Sequence, residues 1–230
     1  MKLREDSSAT ANPRLCIQLL GGFRVERADV GQEVSEWPRR SAKTLIKMLA
    51  VHPVHALHLE QIMDVLWPDV DQEFALNNFG KALNAARWVL EPDLPPNQDS
   101  AYLRLADSML ILNTEHVAID ADRFEQLSMN AIRSGEIAAY ESALSAYSGE
   151  LLPEHRYESW CVERHSVLAE VHLQLLMGLA EAYERHGAYR EAMSRLHEVL
   201  RLDPTHEDAH SQLTRLYGLT ERSTRQFPTG

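Results

Sequence analysis

The chain holds 230 residues with a formal net charge of −11, 44% hydrophobic and 25% charged, the proportions of an ordinary globular protein and a length that suits two domains. Two cysteines exclude a disulfide framework and fit a reducing cytoplasm, and no apolar run approaches the length of a membrane span. Neither half is basic: residues 1–119 carry net −4 and residues 120–230 net −7, so any affinity for nucleic acid must come from a local patch.

Residues 1–14 are polar and read as a disordered lead. Leu15 to Val25 reads as strand, Gly21-Gly22 punctuation, strand. Gly-Gly alone is no phosphate loop. The chain nowhere offers Gly-x4-Gly-Lys-Ser/Thr, which excludes nucleotide hydrolysis by that route. Trp37-Pro38 starts the first helix, about Arg39 to His52. On its wheel Arg39, Arg40, Lys43 and Lys47 share one arc, and Ala42, Leu45, Ile46, Met48 and Leu49 occupy the other side. A charged stripe is usually a solvated face; the single sign makes phosphate contact a fair competitor. His52, His55 and His58 recur every third residue. Pro53 breaks the helix that would align them and no Cys or carboxylate set adjoins, so a loop with incidental histidines is predicted, not a metal site. A short helix follows, about Leu59 to Leu66, stopped by Trp67-Pro68, with Asp69-Val70-Asp71 as a turn.

The stretch from Asn77 to Pro92 is the most informative. At helical spacing Phe79, Leu83, Ala86 and Leu90 share an apolar face, and Asn77, Gly80, Lys81, Asn84, Arg87 and Trp88 lie opposite. Every charge on the outer face is positive and its uncharged polar residues are asparagine. Arginine and lysine suit guanine and phosphate, and asparagine suits adenine. The expectation is a DNA recognition helix whose readers, Asn84 and Arg87 above all, point away from the core. After a Pro-rich loop, Tyr102–Leu105 and Met109–Leu112 read as a hairpin around Ala106-Asp107-Ser108, with Arg104 its one base. Strands, three helices and a hairpin in that order predict a winged helix-turn-helix.

From Val117-Ala118-Ile119-Asp120 onward the pattern is helical, with predicted spans of about 121–133, 137–147, 157–186, 189–201 and 206–219, and Gly149 to Pro153 as a stiff connector. The short apolar stretch 117–119 is no free linker, so the two halves are expected in close contact. Leu179, Tyr183, Gly187, Tyr189, Ala192, Leu196 and Pro204 sit at tetratricopeptide (TPR) spacing, and a ~34-residue period carries Leu179 to Leu213 and Tyr183 to Tyr217. Beyond Tyr217 the pattern fails, so residues 221–230 read as a truncated or diverged tail. Cys161 and His165 are four apart on a predicted helix; without a third orienting group or an oxyanion turn they read as a structural pair, and the chain as a non-enzyme without cofactors.

Several segments together resemble the Streptomyces antibiotic regulatory protein family with its bacterial transcriptional activator domain. They are Leu20-Gly21-Gly22-Phe23-Arg24-Val25, Arg39 to Leu45, Leu66-Trp67-Pro68-Asp69, Asn77-Asn78 with Lys81-Ala82-Leu83, Asp120 to Phe124, Tyr147 to Pro153 and Tyr157-Glu158-Ser159-Trp160. The resemblance implies a mainly α fold with a small β component: an OmpR-type winged helix (15–115) followed by an all-α TPR-like domain (116–220). It also implies a regulator that binds double-stranded promoter DNA, recruits RNA polymerase and dimerises. Arg39, Arg40, Lys43, Lys47, Asn77, Asn78, Lys81, Asn84, Arg87 and Arg104 are the candidate DNA contacts. Trp88 departs from the family, which places a basic residue there; packing against the N-terminal sheet or the second domain is the reading taken. The competing function is a TPR-type scaffold whose winged helix no longer grips DNA.

Overall fold

A computed structural model describes residues 14–28, 31–95 and 98–226. The lead (1–13) and the last four residues of the tail lie outside the described residues. By internal packing the chain forms two compact units. Unit one runs to Asp120 and includes Tyr157–Cys161; unit two comprises Ala121–Arg156 and the chain from Val162. Among the described residues no helix is long and apolar enough to cross a membrane.

In unit one, β1 (Leu15–Gln18), β2 (Arg24–Arg27), β3 (Gln32–Glu33) and β7 (Val117–Ile119) form a sheet in the order β3-β2-β1-β7. The Gly-Gly turn joins β1 to β2 antiparallel, with Ile17 opposite Val25. The apolar segment Val117–Ile119, too short and apolar for a free linker, is a strand paired parallel to β1, Ile17 opposite Ile119. Just past it, the Asp120 carboxylate accepts the backbone N–H groups of Leu19 (2.8 Å) and Leu20 (3.0 Å). Both leucines are fully buried, so these donors have no water to turn to.

The helical part of unit one is α1 (Arg40–Val51), α2 (Leu59–Leu66) and α3 (Gln72–Leu90). α1 packs on α3, and α2 touches both. Leu45, Ile46 and Leu49 of α1, Ile62 of α2, and Phe79, Leu83 and Leu90 of α3 are all at most 5% exposed. The histidine segment between α1 and α2 is more ordered than a loop. β4 (Ala56–His58) pairs with β6 (Met109–Leu112), which pairs with β5 (Leu103–Ala106). His58 Nδ1 accepts from Glu60 N while Gln61 Oε1 accepts from His58 N, a capping box that starts α2. Short alternation hid this strand: three residues do not make a pattern. The wing turn is Asp107-Ser108, both at positive φ (47° and 63°), as a two-residue hairpin needs.

Unit two is α4 (Asp120–Ser134, from Ala121 on), α5 (Ile137–Ser145), α6 (Val162–Arg185), α7 (Tyr189–Leu202) and α8 (Glu207–Gln226). Residues 157–161, expected to open α6, are turns instead. Consecutive helices pair: α5 with α6, α6 with α7, α7 with α8. Leu176, Ala180, Ala192, Leu196, Val199, Leu213 and Leu216 form the core between the last three. The repeat spacing thus marks real packing positions at Ala192, Leu196 and Leu213. Tyr217 is the exception: it stays 48% exposed and contacts His197 through its hydroxyl at 3.1 Å. α8 also continues past the point where the repeat pattern fails. Arg164 binds Asp122 (3.1 Å) and Glu125 (2.6 Å), tying α6 to α4. Phe124, Tyr147 and His172 stack outward from the core, with ring centroids 5.0 Å and 4.1 Å apart.

Three outcomes follow from this packing. Asp120→Ala strands two buried N–H groups and should lower stability by about 2–4 kcal/mol in urea melts. A Cβ at Gly178 would stand 2.6–2.7 Å from the Tyr140 ring, so Gly178→Ala should cost about 1–3 kcal/mol by overpacking, part of it recovered with Tyr140→Leu. Burial pushes the His172 imidazole below its ordinary pKa, with Glu198 opposing. The unfolded chain therefore binds this proton more readily than the folded one. Stability should fall as pH drops through about 6.5, and His172→Phe should flatten that dependence in melts across pH 5–8.

Candidate nucleic-acid interface

α3 is the longest helix of unit one and starts at a strong cap: Asp71 accepts from Glu73 N (3.1 Å) and Phe74 N (3.2 Å). Six residues of helix therefore precede Asn78, more than the stretch from Asn77 suggested. Ala75, Phe79, Ala82, Leu83, Ala86, Val89 and Leu90 are buried. Asn77, Lys81, Asn84 and Trp88 are exposed, at spacings of four, three and four, which puts them in one line along the outer face. Phe74 extends the line toward the N-terminus and is 62% exposed. Asn78 lies at its edge, half-buried.

The candidate cations divide sharply. Arg39 and Arg40 at the start of α1, Lys81 on α3 and Arg104 on β5 are exposed. Lys47 is not: it is 5% exposed, with its ammonium 5.1 Å from the centre of the Phe23 ring. Lys43 sits over the same ring at 5.6 Å and is half-buried. The expectation of a four-residue phosphate stripe is corrected for Lys47. A wheel gives the angle of a side chain and not what stands in front of it. Here the Gly21-Gly22 turn brings Phe23 over this side of α1, and Trp37 tilts against Phe23 at 5.9 Å. A cation over an aromatic face, partly desolvated, is held there by the ring quadrupole.

Arg87 is the second correction. Its guanidinium donates to the Leu103 carbonyl at 3.1 Å and the residue is half-buried. It fastens α3 to the wing strand β5 and does not point away from the core. The wheel placed it one turn from Asn84 and facing outward; the Leu103 carbonyl, sixteen residues on, draws the guanidinium inward instead. The outward place in that turn belongs to Trp88, 63% exposed, where packing against the N-terminal sheet or second domain was expected. Its exposure had no marker in the sequence beyond the angle.

The acids are equally uneven. Asp69, Asp71 and Glu73 are exposed around the N-terminal end of α3, and none occurs between Phe74 and Leu90. The exposed central and C-terminal part of α3 is thus free of acidic residues in a chain of net −11. Unit two contributes an open cleft of about 550 Å³ whose lining includes Tyr147, His172, Leu176, Tyr183, Arg195 and Glu198. Its rim is already paired: Tyr183 donates to Glu141 at 2.5 Å, and Arg195 meets Glu198 at 2.9 Å.

Residues 119–225 match the family model of the bacterial transcriptional activator domain. No curated protein matches the chain. Among solved structures it is similar to Mycobacterium tuberculosis EmbR, determined in complex with a low-affinity phosphopeptide, with a TM-score of 0.74 and 18% identity over 93% of this chain. At that identity the likeness is one of fold. The present chain spans 57% of that chain's length.

These placements separate two kinds of cation by experiment. Arg87→Ala should cost about 1–2 kcal/mol in stability through the lost bond to the wing, and Lys47→Ala should destabilise unit one likewise, whereas Arg40→Ala should leave the urea midpoint unmoved.

Proposed function

We propose that the chain is a transcriptional regulator of the kind its resemblance to the Streptomyces antibiotic regulatory proteins implies, and that it reads promoter DNA with the outer line of α3; the match of residues 119–225 to the bacterial transcriptional activator domain and the winged-helix fold support this reading. The observation that carries this is the solvent-facing row Asn77, Lys81 and Asn84 on the third helix of a helix-turn-helix, acid-free and backed by a buried face. Asn84 hydrogen-bonds adenine edges, Asn77 does so about two helical turns earlier, and Lys81 takes guanine or phosphate. Asn78, at the edge, supports the register. Arg39, Arg40 and Arg104, with Lys43 as a weaker member, touch the flanking backbone and position the helix without specifying sequence. Lys47 and Arg87 hold the fold and are left out of the interface.

Unit two is the partner surface in this reading, RNA polymerase or a second copy of the chain being the partners. Its paired helices and open cleft suit protein contact better than catalysis. We assign the chain no reaction: Cys161 is buried and His165 Nε2 lies 3.6 Å from the Glu150 carboxylate, a structural environment. The scaffold reading keeps one specific observation in its favour, the inward turn of two of the expected cations.

The test is binding of the full chain to duplexes selected from a random pool, titrated against salt. Asn84→Ala and Lys81→Ala should each cost about 1–3 kcal/mol on the selected duplex and much less on random duplex, with unchanged melting. Arg40→Ala should weaken both equally and reduce the slope of log K against log salt by about 0.9. Failure to bind any duplex at low salt would leave the scaffold.

A further inference from the structure

We infer that Trp88 is a specificity-determining residue, an apolar contact to the 5-methyl group of thymine made from the C-terminal part of α3; this rests on the DNA-binding reading above. The indole stands in the same line as Asn77, Lys81 and Asn84. From Asn77 to Trp88 that line measures about 16 Å along the helix axis, a length that a helix lying in the major groove presents to successive base pairs. Next door, Val89 is 6% exposed and Arg87 is bonded to the Leu103 carbonyl. The last turn of α3 therefore buries its aliphatic residue, turns its cation to the wing and leaves the indole outside.

Packing alone does not account for that placement. Trp88 forms one wall of an open groove of about 650 Å³ whose lining also includes Arg27, Glu33, Glu36, Trp37 and Pro92, while 63% of the residue stays exposed. Phe74 is equally exposed, but the exposed carboxylates of Asp71 and Glu73 stand beside it and are repelled by phosphate. The acid nearest Trp88 along the chain, Glu91, is half-buried, and its carboxylate accepts from Ser100 and Ala101. An indole neutralises no phosphate, so what it reads there is apolar. Thymine is the one base that shows a methyl group in the major groove.

The probe is the duplex selected from the random pool, with each thymine in turn replaced by deoxyuridine, which removes the methyl group and keeps the base pair. Wild-type protein should lose affinity roughly five- to tenfold at one or two of these positions, the scale of a good base contact. Trp88→Ala should bind the thymine duplex that much more weakly, no longer distinguish thymine from uracil at those positions, and keep the wild-type salt slope. Trp88→Phe should retain part of the discrimination, and melting curves should show both variants folded. If wild type ignores every replacement, or Trp88→Ala discriminates as wild type does, while salt-dependent duplex binding persists, this inference is overturned and the DNA-binding reading stands. If no duplex is bound at low salt, both fall together.

Discussion

The Asp120 carboxylate joins two parts of the chain about a hundred residues apart, at Leu19 and Leu20. Those two amides lie just beyond β1, and each donates to the Asp120 carboxylate. Buried donors without partners cost more than ordinary hydrogen bonds contribute, and a carboxylate is the strongest available remedy. With the amides held, β7 can lie parallel to β1, and the end of the winged-helix half of the chain is anchored to its beginning. The Gly-Gly turn then has a fixed base, and Phe23, which follows it, has a fixed position over α1.

That aromatic platform shapes the surface of unit one. Lys43 and Lys47 are drawn to the Phe23 face, Arg87 to the wing carbonyl. Each of these contacts stabilises the domain and each removes a cation from the outer surface. An acidic protein cannot spare many. Among the described residues, the cations left exposed on unit one are Arg14, Arg24, Arg39, Arg40, Lys81 and Arg104. In the DNA-binding reading proposed above, such a surface would give modest electrostatic affinity and leave recognition to base-edge contacts, the opposite balance from a basic domain that binds any duplex and specifies weakly.

Unit two is built on a different economy. Its helices approach closely where small residues permit it, Ala180 and Ala192 between α6 and α7 and Gly178 beneath the Tyr140 ring. Aromatic residues fill the remaining space in a stack from Phe124 to His172. Arg164, largely covered and bound to two carboxylates, sets α4 against α6.

The amino-acid sequence by itself determined the order of the helices, the buried faces of α1, α3 and α7, the wing hairpin around Asp107-Ser108, and the family resemblance. These are local: periodicity, caps and turn residues act within a few positions, and each can be read from neighbours in the chain. It also placed Asn77, Lys81 and Asn84 on the outside, because they lie at the centre of a polar arc that no rotation of the helix could bury. Only the tertiary structure decided the fate of the residues at the margins. Lys47 lay in a basic stripe but under Phe23; Arg87 lay in the polar arc but within reach of the Leu103 carbonyl; Trp88 was expected to pack and is 63% exposed. β4 and β7 were too short for alternation to show, and they exist because β6 and β1 offer them partners. In every such case the deciding neighbour is distant in sequence, and a helical wheel carries no term for it.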